Sequence, residues 1–354
     1  MHHTRHLSLS HCPLVYVSEA ALPQVSPHDL GAVVPGAAMA LSKLSGDEAG
    51  IVFVQLCNVL EPRVAVALSS ASNELRMATQ ALLPQLRTDH EAAAALCRKV
   101  GLQSCKVLRE AKRVGCDNTR LTAADLALLG TLGSVLPALE LLRLVEHSDA
   151  ASPVDGVQRL AEGLGAGALP SMTSLYLIRV HTGDAGASAL AAALGRGALP
   201  RLQILALGNA GIGDAGLVAL APALRRLPAL ESLVLMDNPF GDEGLAALLA
   251  PPPPPPPAGA RPLPTGGLKK LKELDLDDTK ITEAGCATLA AALDNGALPA
   301  LEKLALKYIP ASRAAKAAVY AARANLLCSS YTPAGLGVDS ESEDGESEDE
   351  EEGS

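Results

Sequence analysis

The feature that most constrains the fold is a repeated leucine pattern. The word GALP recurs at 167–170, 197–200 and 296–299, and LPAL at 136–139, 227–230 and 298–301. Aligned on these words, the chain shows a Leu-x-x-Leu-x-Leu frame whose copies begin at 111, 139, 172, 202, 230, 271 and 301. The copies begin 28 to 33 residues apart, except for one step of 41 that contains the insert PPPPPPPAGARPLPTGG at 251–267. Self-similarity at a period of this length indicates a solenoid.

Each repeat combines a strand pattern with a helix pattern. Leu205 and Leu207 alternate with other residues, as in a short strand that has one buried face. An Asp-x-Gly word follows, and we expect its acid to cap the start of a helix. Helical spacing then continues in the leucines at 217, 220 and 224. Because the proline of GALP ends each helix, we predict an α/β solenoid of about seven strand–helix repeats.

Two copies carry a family resemblance. The stretches LQILALGNAGIGDAGLVALAPAL (202–224) and LESLVLMDNPFGDEGLAALL (230–249) resemble leucine-rich repeats of the ribonuclease-inhibitor type. The resemblance implies a βα horseshoe. The position where this family has asparagine is filled by asparagine in one copy only, at Asn238. The resemblance therefore implies a backbone ladder that has its asparagine support in a single repeat.

The rest of the chain divides by composition. We predict a poorly ordered N-terminus at 1–45, a helical segment at 46–104, the repeat domain at 105–327, and a disordered linker with an acidic tail at 328–354. Within the repeat domain, 251–267 is a proline-rich insert and 311–327 reads as a closing helix. The tail cannot support a core. Its Ser340 and Ser347, each with Glu three residues on, resemble sites of acidophilic kinases of the casein-kinase kind.

Residues 51–76 resemble an F-box. The resemblance rests on Leu56, Leu60, the EPR word at 61–63 and SSASNELR at 69–76. It implies docking on the Skp-type adaptor of cullin ubiquitin ligases, with the repeats receiving the substrate. The alternative is a plain helical cap over the first repeat, because the ends of a solenoid need to be shielded.

Composition limits the classes of partner. The net charge of −10 is carried by the ten acids of 339–354, which leaves the rest of the chain formally neutral. Because binding to phosphate backbones needs clustered Lys and Arg, we expect no nucleic acid. Seven scattered cysteines without a Cys-x-x-Cys pair favour reduced thiols in the cytoplasm or nucleus. No apolar run reaches the roughly 18 residues of a membrane span. We expect a monomer that does not bind membranes.

Motifs for catalysis are few. DLDDT at 275–279 fits the Asp-x-Asp-x-Thr of haloacid-dehalogenase-type phosphatases, whose first Asp is a nucleophile. The repeat frame, however, assigns Leu274 and Leu276 to the core, which favours coincidence. We find no nucleophile elbow, Walker loop or paired cysteine ligands. The sequence therefore predicts a protein that is not an enzyme and that needs no cofactor or metal.

The exposed side of the strands is the predicted site. Alternation places the residues before, between and after the inner leucine pair on the exposed strand surface. This surface has an apolar band, an acidic stripe and two lysines, and contiguous exposed apolar surface usually marks a contact site. The alternative is that the N-terminal helices or the proline insert cover it. The predicted partner-binding residues are Leu141, Arg143, Val145, Tyr176, Ile178, Ile204, Val234, Met236, Glu273, Asp275, Asp277, Lys303 and Lys307.

These observations favour a protein–protein interaction module that binds a partner on the concave face of the repeats. Its more specific version is an F-box-type substrate receptor of a ubiquitin ligase. The alternative is a GTPase activator, because repeats of this type followed by an acidic tail also resemble the Ran GTPase-activating proteins.

Overall fold

The computed structural model describes most of the repeat region and part of the preceding helices. The described residues are 58–71, 76–77, 80–117, 119, 121–146, 155–250, 268–323 and 325–328. The predicted N-terminal segment, the proline insert and the acidic tail with Ser340 and Ser347 lie outside them. The described residues belong to two units, one with 62–85 and one with 58–61 and 86–328.

The smaller unit contains a short helix. Helix α1 spans Arg63–Ala71, and α2, Leu82–Lys99, begins in the same unit. Pro62 precedes α1, where a missing backbone N–H leaves no partner unsatisfied. The Ser69 hydroxyl donates to the Val66 carbonyl within the helix, at 2.8 Å. Within the described residues of 46–104, Arg63–Ala71 and Leu82–Lys99 are therefore helical.

The larger unit is a single parallel sheet of eight strands in chain order. The strands are β1 Arg113–Asp117, β2 Leu141–Val145, β3 Ser174–Ile178, β4 Ile204–Ala206, β5 Ser232–Val234, β6 Glu273–Asp275, β7 Lys303–Ala305 and β8 Leu327–Cys328. The helices are α3 Cys105–Glu110, α4 Ala123–Thr131, α5 Gly156–Gly163, α6 Gly183–Gly195, α7 Asp214–Leu224, α8 Asp242–Leu249, α9 Glu283–Asp294 and α10 Arg313–Ala321, with a 3-10 turn at Leu132–Val135. The predicted α/β solenoid is confirmed.

The leucine frame forms the core. Neighbouring strands pair so that equivalent leucines are directly opposite one another, for example Leu205 with Leu233 and Leu233 with Leu274. All three frame positions of the six full copies are buried. Stacked helices are about 8–10 Å apart, whereas strands are about 4.8 Å apart, so the helix-free side of the sheet is the shorter side. The stack therefore curves with this sheet face on its concave side.

The last described residues form a strand and not a helix. The sequence predicts a closing helix over 311–327, but α10 ends at Ala321. The Leu327 N–H donates to the Glu302 carbonyl at 2.8 Å, which places β8 beside β7. The prediction is wrong for the last residues because the edge of β7 offers backbone groups that a strand can satisfy.

The acid of Asp-x-Gly caps the helix of the next repeat. Asp184 Oδ1 accepts the backbone N–H groups of Gly213 (2.8 Å) and Gly216 (3.0 Å), at the start of α7. The sequence predicts that this acid caps the start of a helix, and the helix is that of the next repeat because Asp184 itself lies inside the first turn of α6. The same contact recurs from Asp214 to Gly241 and Gly244, from Asp242 to Thr282, and from Glu283 to Ser312.

Asn238 joins two repeats. Its Oδ1 accepts the N–H groups of Ala210 (3.2 Å) and Ile212 (3.0 Å), and its Nδ2 donates to the Leu207 carbonyl (2.7 Å). In the next repeat Thr279 occupies the equivalent position and makes one bond, from its hydroxyl to the Leu276 carbonyl, at 2.9 Å. The asparagine support is therefore confined to one repeat junction, as the sequence implies.

Described cysteines are free thiols, and most are buried. Burial raises the pKa of Cys97 to about 12 and that of Cys116 to about 12, whereas Cys328 is exposed. Since the thiolate is the nucleophile, we expect iodoacetamide at pH 8 to modify Cys328 and to leave Cys97 and Cys116 protected until the protein unfolds. Peptide mapping by mass spectrometry would measure each site. Equal modification of Cys116 and Cys328 in the folded protein would show that the first repeat is open.

None of the helices in the described ranges is long and apolar enough to cross a membrane.

Candidate functional site

We define the sheet face as the helix-free side of β1–β7 together with the residue that follows each inner leucine pair. An apolar patch lies on this face. It consists of Leu141, Tyr176, Ile178, Ile204 and Met236, all of them half-buried. A β-carbon added to Gly208 would lie 3.2 Å from Met236 Cε and 3.4 Å from Ile178 Cδ1. Because Gly208 has no side chain, Ile178 and Met236 close over it from the two neighbouring repeats, which joins this part of the patch across three repeats.

Three predicted site residues are buried instead of exposed. Relative exposure is 6% for Val145, 0% for Val234 and 1% for Asp275. Val234 lies in register between Ala206 and Asp275 on strands about 4.8 Å apart. We call Ala206, Val234, Asp275 and Ala305, which lie opposite one another on β4–β7, the central row. Larger side chains flank this row, both from the same strands and from the residues that follow them. Alternation identifies the side of the sheet correctly, but crowding on the concave side removes these side chains from solvent, so their predicted exposure is wrong.

Across β4–β7 the central row is more buried than the rows on either side of it, and we call this strip the groove, with the central row as its floor and the flanking rows as its walls. Ala206, Val234, Asp275 and Ala305 are buried and mostly short. One wall contains the half-buried Ile204 and Glu273 and the exposed Lys303; the other contains the half-buried Met236 and Asp277 and the exposed Lys307. The groove therefore brings most of the predicted binding residues to the same surface.

At the other end of the sheet face, Arg143 is paired within the protein. Its Nη2 lies 3.1 Å from Asp117 Oδ2 on the neighbouring strand, and both side chains keep some exposure. The pair closes the apolar patch toward β1. Arg143 thus belongs to an ion pair within the protein, although its buried Nη2 makes no hydrogen bond to a described residue.

Two further acids, Asp237 after β5 and Asp278 after β6, are not among the site residues that the sequence predicts. Asp237 and Asp278 follow the strands with positive φ values of 57° and 53°. The Asp237 N–H donates to the Asp277 carbonyl and the Asp278 N–H to the Lys307 carbonyl, each at 2.9 Å. Strand alternation stops before these turns and so could not place them. Aspartate tolerates this backbone conformation, which is the signal that was available.

The carboxylates are crowded. Burial raises the pKa of Asp237, and the neighbouring Asp278 raises it further. Burial also raises the pKa of Asp277, although Lys307 opposes the shift through its backbone N–H, at 2.5 Å from Asp277 Oδ1, and through its charge. Within the described ranges, no Lys or Arg side chain forms an ion pair with Glu273, Asp237, Asp277 or Asp278. This end of the sheet face carries negative charge that the protein only partly neutralises.

Chemistry beyond binding finds little support on this face. The described residues contain no group of three or more His, Cys, Asp or Glu side chains arranged to hold a metal ion. Asp275, the first acid of DLDDT, is buried in the groove floor, and its Oδ1 accepts the Asp277 N–H at 3.0 Å. The arrangement offers surface shape, apolar contact and charge.

Comparison with known proteins supports the repeat assignment. A family model described as Leucine Rich repeat matches residues 199–221, 227–249 and 267–290, each of which contains one strand and most of the following helix. A comparison with curated proteins gave no match.

Among solved structures, an internalin from Listeria monocytogenes is similar, with 15% identity and a TM-score of 0.32. The match covers 67% of this chain and 53% of the internalin chain, so this chain spans about half the length of that protein. The matched family model and the parallel sheet in chain order agree with each other: this chain carries leucine-rich repeats and folds as a leucine-rich repeat solenoid.

Proposed function

We propose that this protein is a non-enzymatic interaction module that binds a protein partner on its sheet face. The observation that carries the proposal is the apolar patch of Leu141, Tyr176, Ile178, Ile204 and Met236, all of which keep part of their surface exposed and of which Ile178 and Met236 approach each other over Gly208. Contiguous apolar surface on a monomer is costly in water and marks contact sites. The adjacent carboxylates disfavour nucleic acid, whose phosphates they would repel.

The patch has the composition of an interface centre. Tyrosine, isoleucine and methionine provide large contact areas, and aromatic side chains and methionine are enriched at interfaces. The charged residues at the groove end supply a polar rim. We therefore expect a few residues of the patch to dominate the affinity.

The test is the triple substitution of Tyr176, Ile204 and Met236 by alanine. We expect capture of the main partner to fall at least thirtyfold, because truncating an aromatic side chain at an interface centre costs about 2 kcal/mol or more. Because these side chains are half-buried, we also expect a modest loss in melting temperature with an unchanged circular dichroism spectrum. Affinity is measured by calorimetry or surface plasmon resonance with the captured partner.

A matched control separates binding from stability. Leu128, Val218 and Leu249 are apolar residues of the helical layer that are likewise partly exposed. Their triple change to alanine should lower the melting temperature to a similar extent and leave capture intact. If both triples bind equally well, the sheet face is not the binding surface.

We further propose that residues 51–76 recruit a Skp-type adaptor, which would make the protein a substrate receptor of a ubiquitin ligase. The F-box resemblance supports this; much of the segment lies outside the described residues, and α1 is its described part. The full chain should retain purified Skp adaptor, and a chain lacking 51–76 should not. No retention by the full chain would leave this segment as a helical cap.

The remaining assignments are proposals of the same kind. We propose a location in the cytoplasm or nucleus, on the basis of cysteine usage, and a monomeric protein. We also propose repeats of the ribonuclease-inhibitor type, on the basis of the resemblance of 202–224 and 230–249 to that family. The Ran-type GTPase activator is the alternative function, supported by the repeats and the acidic tail. Accelerated GTP hydrolysis by a Ran-type GTPase would favour it over adaptor binding.

A further inference from the structure

The apolar patch adjoins a set of carboxylates, the acidic cluster, which consists of Asp237, Asp277 and Asp278. Met236 of the patch and Asp237 of the cluster are consecutive residues. Met236 and Asp277 follow the inner leucine pairs of neighbouring repeats, whose strands are about 4.8 Å apart. A partner side chain that contacts the patch at Met236 therefore brings its neighbours within reach of the cluster.

The cluster is short of counter-charge. None of its three acids forms an ion pair with a described Lys or Arg. Two nearby cations are engaged elsewhere: Lys272 pairs with Glu231 at 2.8 Å, and Lys316 Nζ donates to the Ile309 carbonyl at 3.1 Å. Arg179, Lys307 and Lys316 attract the cluster without forming an ion pair, and the Lys307 backbone N–H donates to Asp277, yet burial keeps the pKa values of Asp237 and Asp277 raised. The cluster therefore carries charge that no ion pair within the described residues balances.

An exposed aromatic ring stands beside the cluster. Tyr308 is 80% exposed, the largest exposure among the large hydrophobic side chains that the structure describes. It has the same turn position as Asp237 and Asp278, one repeat further on, with a φ of 57°. Aromatic faces attract Lys and Arg side chains, and guanidinium groups stack on them. The ring and the carboxylates thus favour the same kind of partner group.

We propose that the partner protein presents an apolar side chain to the patch and a Lys or Arg side chain to the acidic cluster beside it. This inference rests on the proposed function of the sheet face and specifies the chemistry of its partner. Charge complementarity supports a basic group, and it disfavours the chain's own tail, whose last sixteen residues include ten acids. Since the two subsites are about one strand spacing apart, the apolar and basic side chains lie next to each other on the partner surface.

The cluster's effect on stability gives an independent check. A carboxyl whose pKa is higher in the folded than in the unfolded state lowers stability as the pH rises through the folded pKa, and the loss is absent below the unfolded pKa. We therefore expect Asp237→Asn to leave the melting temperature unchanged or slightly raised at pH 7, with no gain at pH 3. A clear loss at pH 7 would mean that Asp237 stabilises the fold.

The proposal is tested with peptides selected from a random phage-displayed library of linear 12-residue sequences on the intact protein. We expect enriched peptides to place Lys or Arg beside apolar residues. Their dissociation constants should rise about tenfold or more with Asp237→Asn/Asp278→Asn, and also with added salt, because screening weakens such contacts. Asp294→Asn is the matched control, since Asp294 is an exposed acid at the end of α9. It should change nothing.

Three other results would each contradict this inference, and one of them would also contradict the proposed function. Selected peptides that lose binding to the alanine triple at 176, 204 and 236 but bind the Asp237→Asn/Asp278→Asn variant normally would overturn this inference and leave the proposed function standing. Peptides insensitive to both sets of substitutions would overturn both proposals. Enrichment of acidic or uncharged peptides on the sheet face would contradict the basic partner directly.

Discussion

Replacing Asn238 with alanine should lower the free energy of unfolding by about 3 kcal/mol, because the change leaves buried backbone N–H and carbonyl groups without hydrogen-bond partners. Ala210, Ile212 and Leu207, whose N–H or carbonyl groups bond the amide, are completely buried, so water cannot replace it. For a domain of this size, the melting temperature should fall by roughly 10 °C. Denaturant titration followed by circular dichroism measures the change.

Thr279 provides the matched control. It occupies the equivalent position one repeat later, is buried, and makes a single side-chain hydrogen bond. Thr279→Ala should cost about 1 kcal/mol, the usual value for one net hydrogen bond. Equal costs at the two positions would contradict the view that Asn238 is the chief polar link between these repeats.

Replacing Gly216 with alanine should cost about 2–3 kcal/mol, because the new methyl group occupies the place of a neighbouring side chain. A β-carbon at Gly216 would lie 2.5 Å from Asp184 Oδ1 and 3.0 Å from Asp184 Cα, so the capping carboxylate and its backbone would both have to move. The same carboxylate bonds the Gly216 N–H, and that bond is lost with it. Thermal unfolding measures the effect.

Gly195→Ala makes the same chemical change without the clash. Gly195 is the last residue of α6, and a β-carbon there would meet nothing within 4 Å. Its stability should be unchanged or raised by up to about 1 kcal/mol, since alanine favours helix. A loss at Gly195 as large as that at Gly216 would refute the cross-repeat contact.

The sequence could predict the strands and their register, because each leucine of the frame has to be buried and only one register buries all of them. It could also identify which residues share the sheet face. It could not predict how exposed they are: Val234 and Asp275 point to that face, yet the crowding of neighbouring strands buries both. Exposure depends on the distance between repeats, and the alternation of a single strand contains no information on that distance.

Two other features depend on contacts between repeats. The pattern at Asp184 and Gly186 predicts a helix cap, and the bond is made to Gly213 and Gly216 of the next repeat. Asp237 and Asp278 follow the strands in turns of positive φ, and only the turn geometry brings them to the edge of the sheet face. The local sequence pattern predicts the repeat unit, whereas the contacts that each residue makes depend on how the units stack.

The central claim is that the sheet face binds a protein partner, and photo-crosslinking tests it most directly. A benzophenone amino acid is introduced at Ile204 on the sheet face, or at Val218 on the outer helix α7, and the captured partner is irradiated with each variant. We predict a crosslinked product from position 204 and none from position 218. A product from 218 with none from 204 would show that the partner binds the helical side, and the proposed function would have to be abandoned.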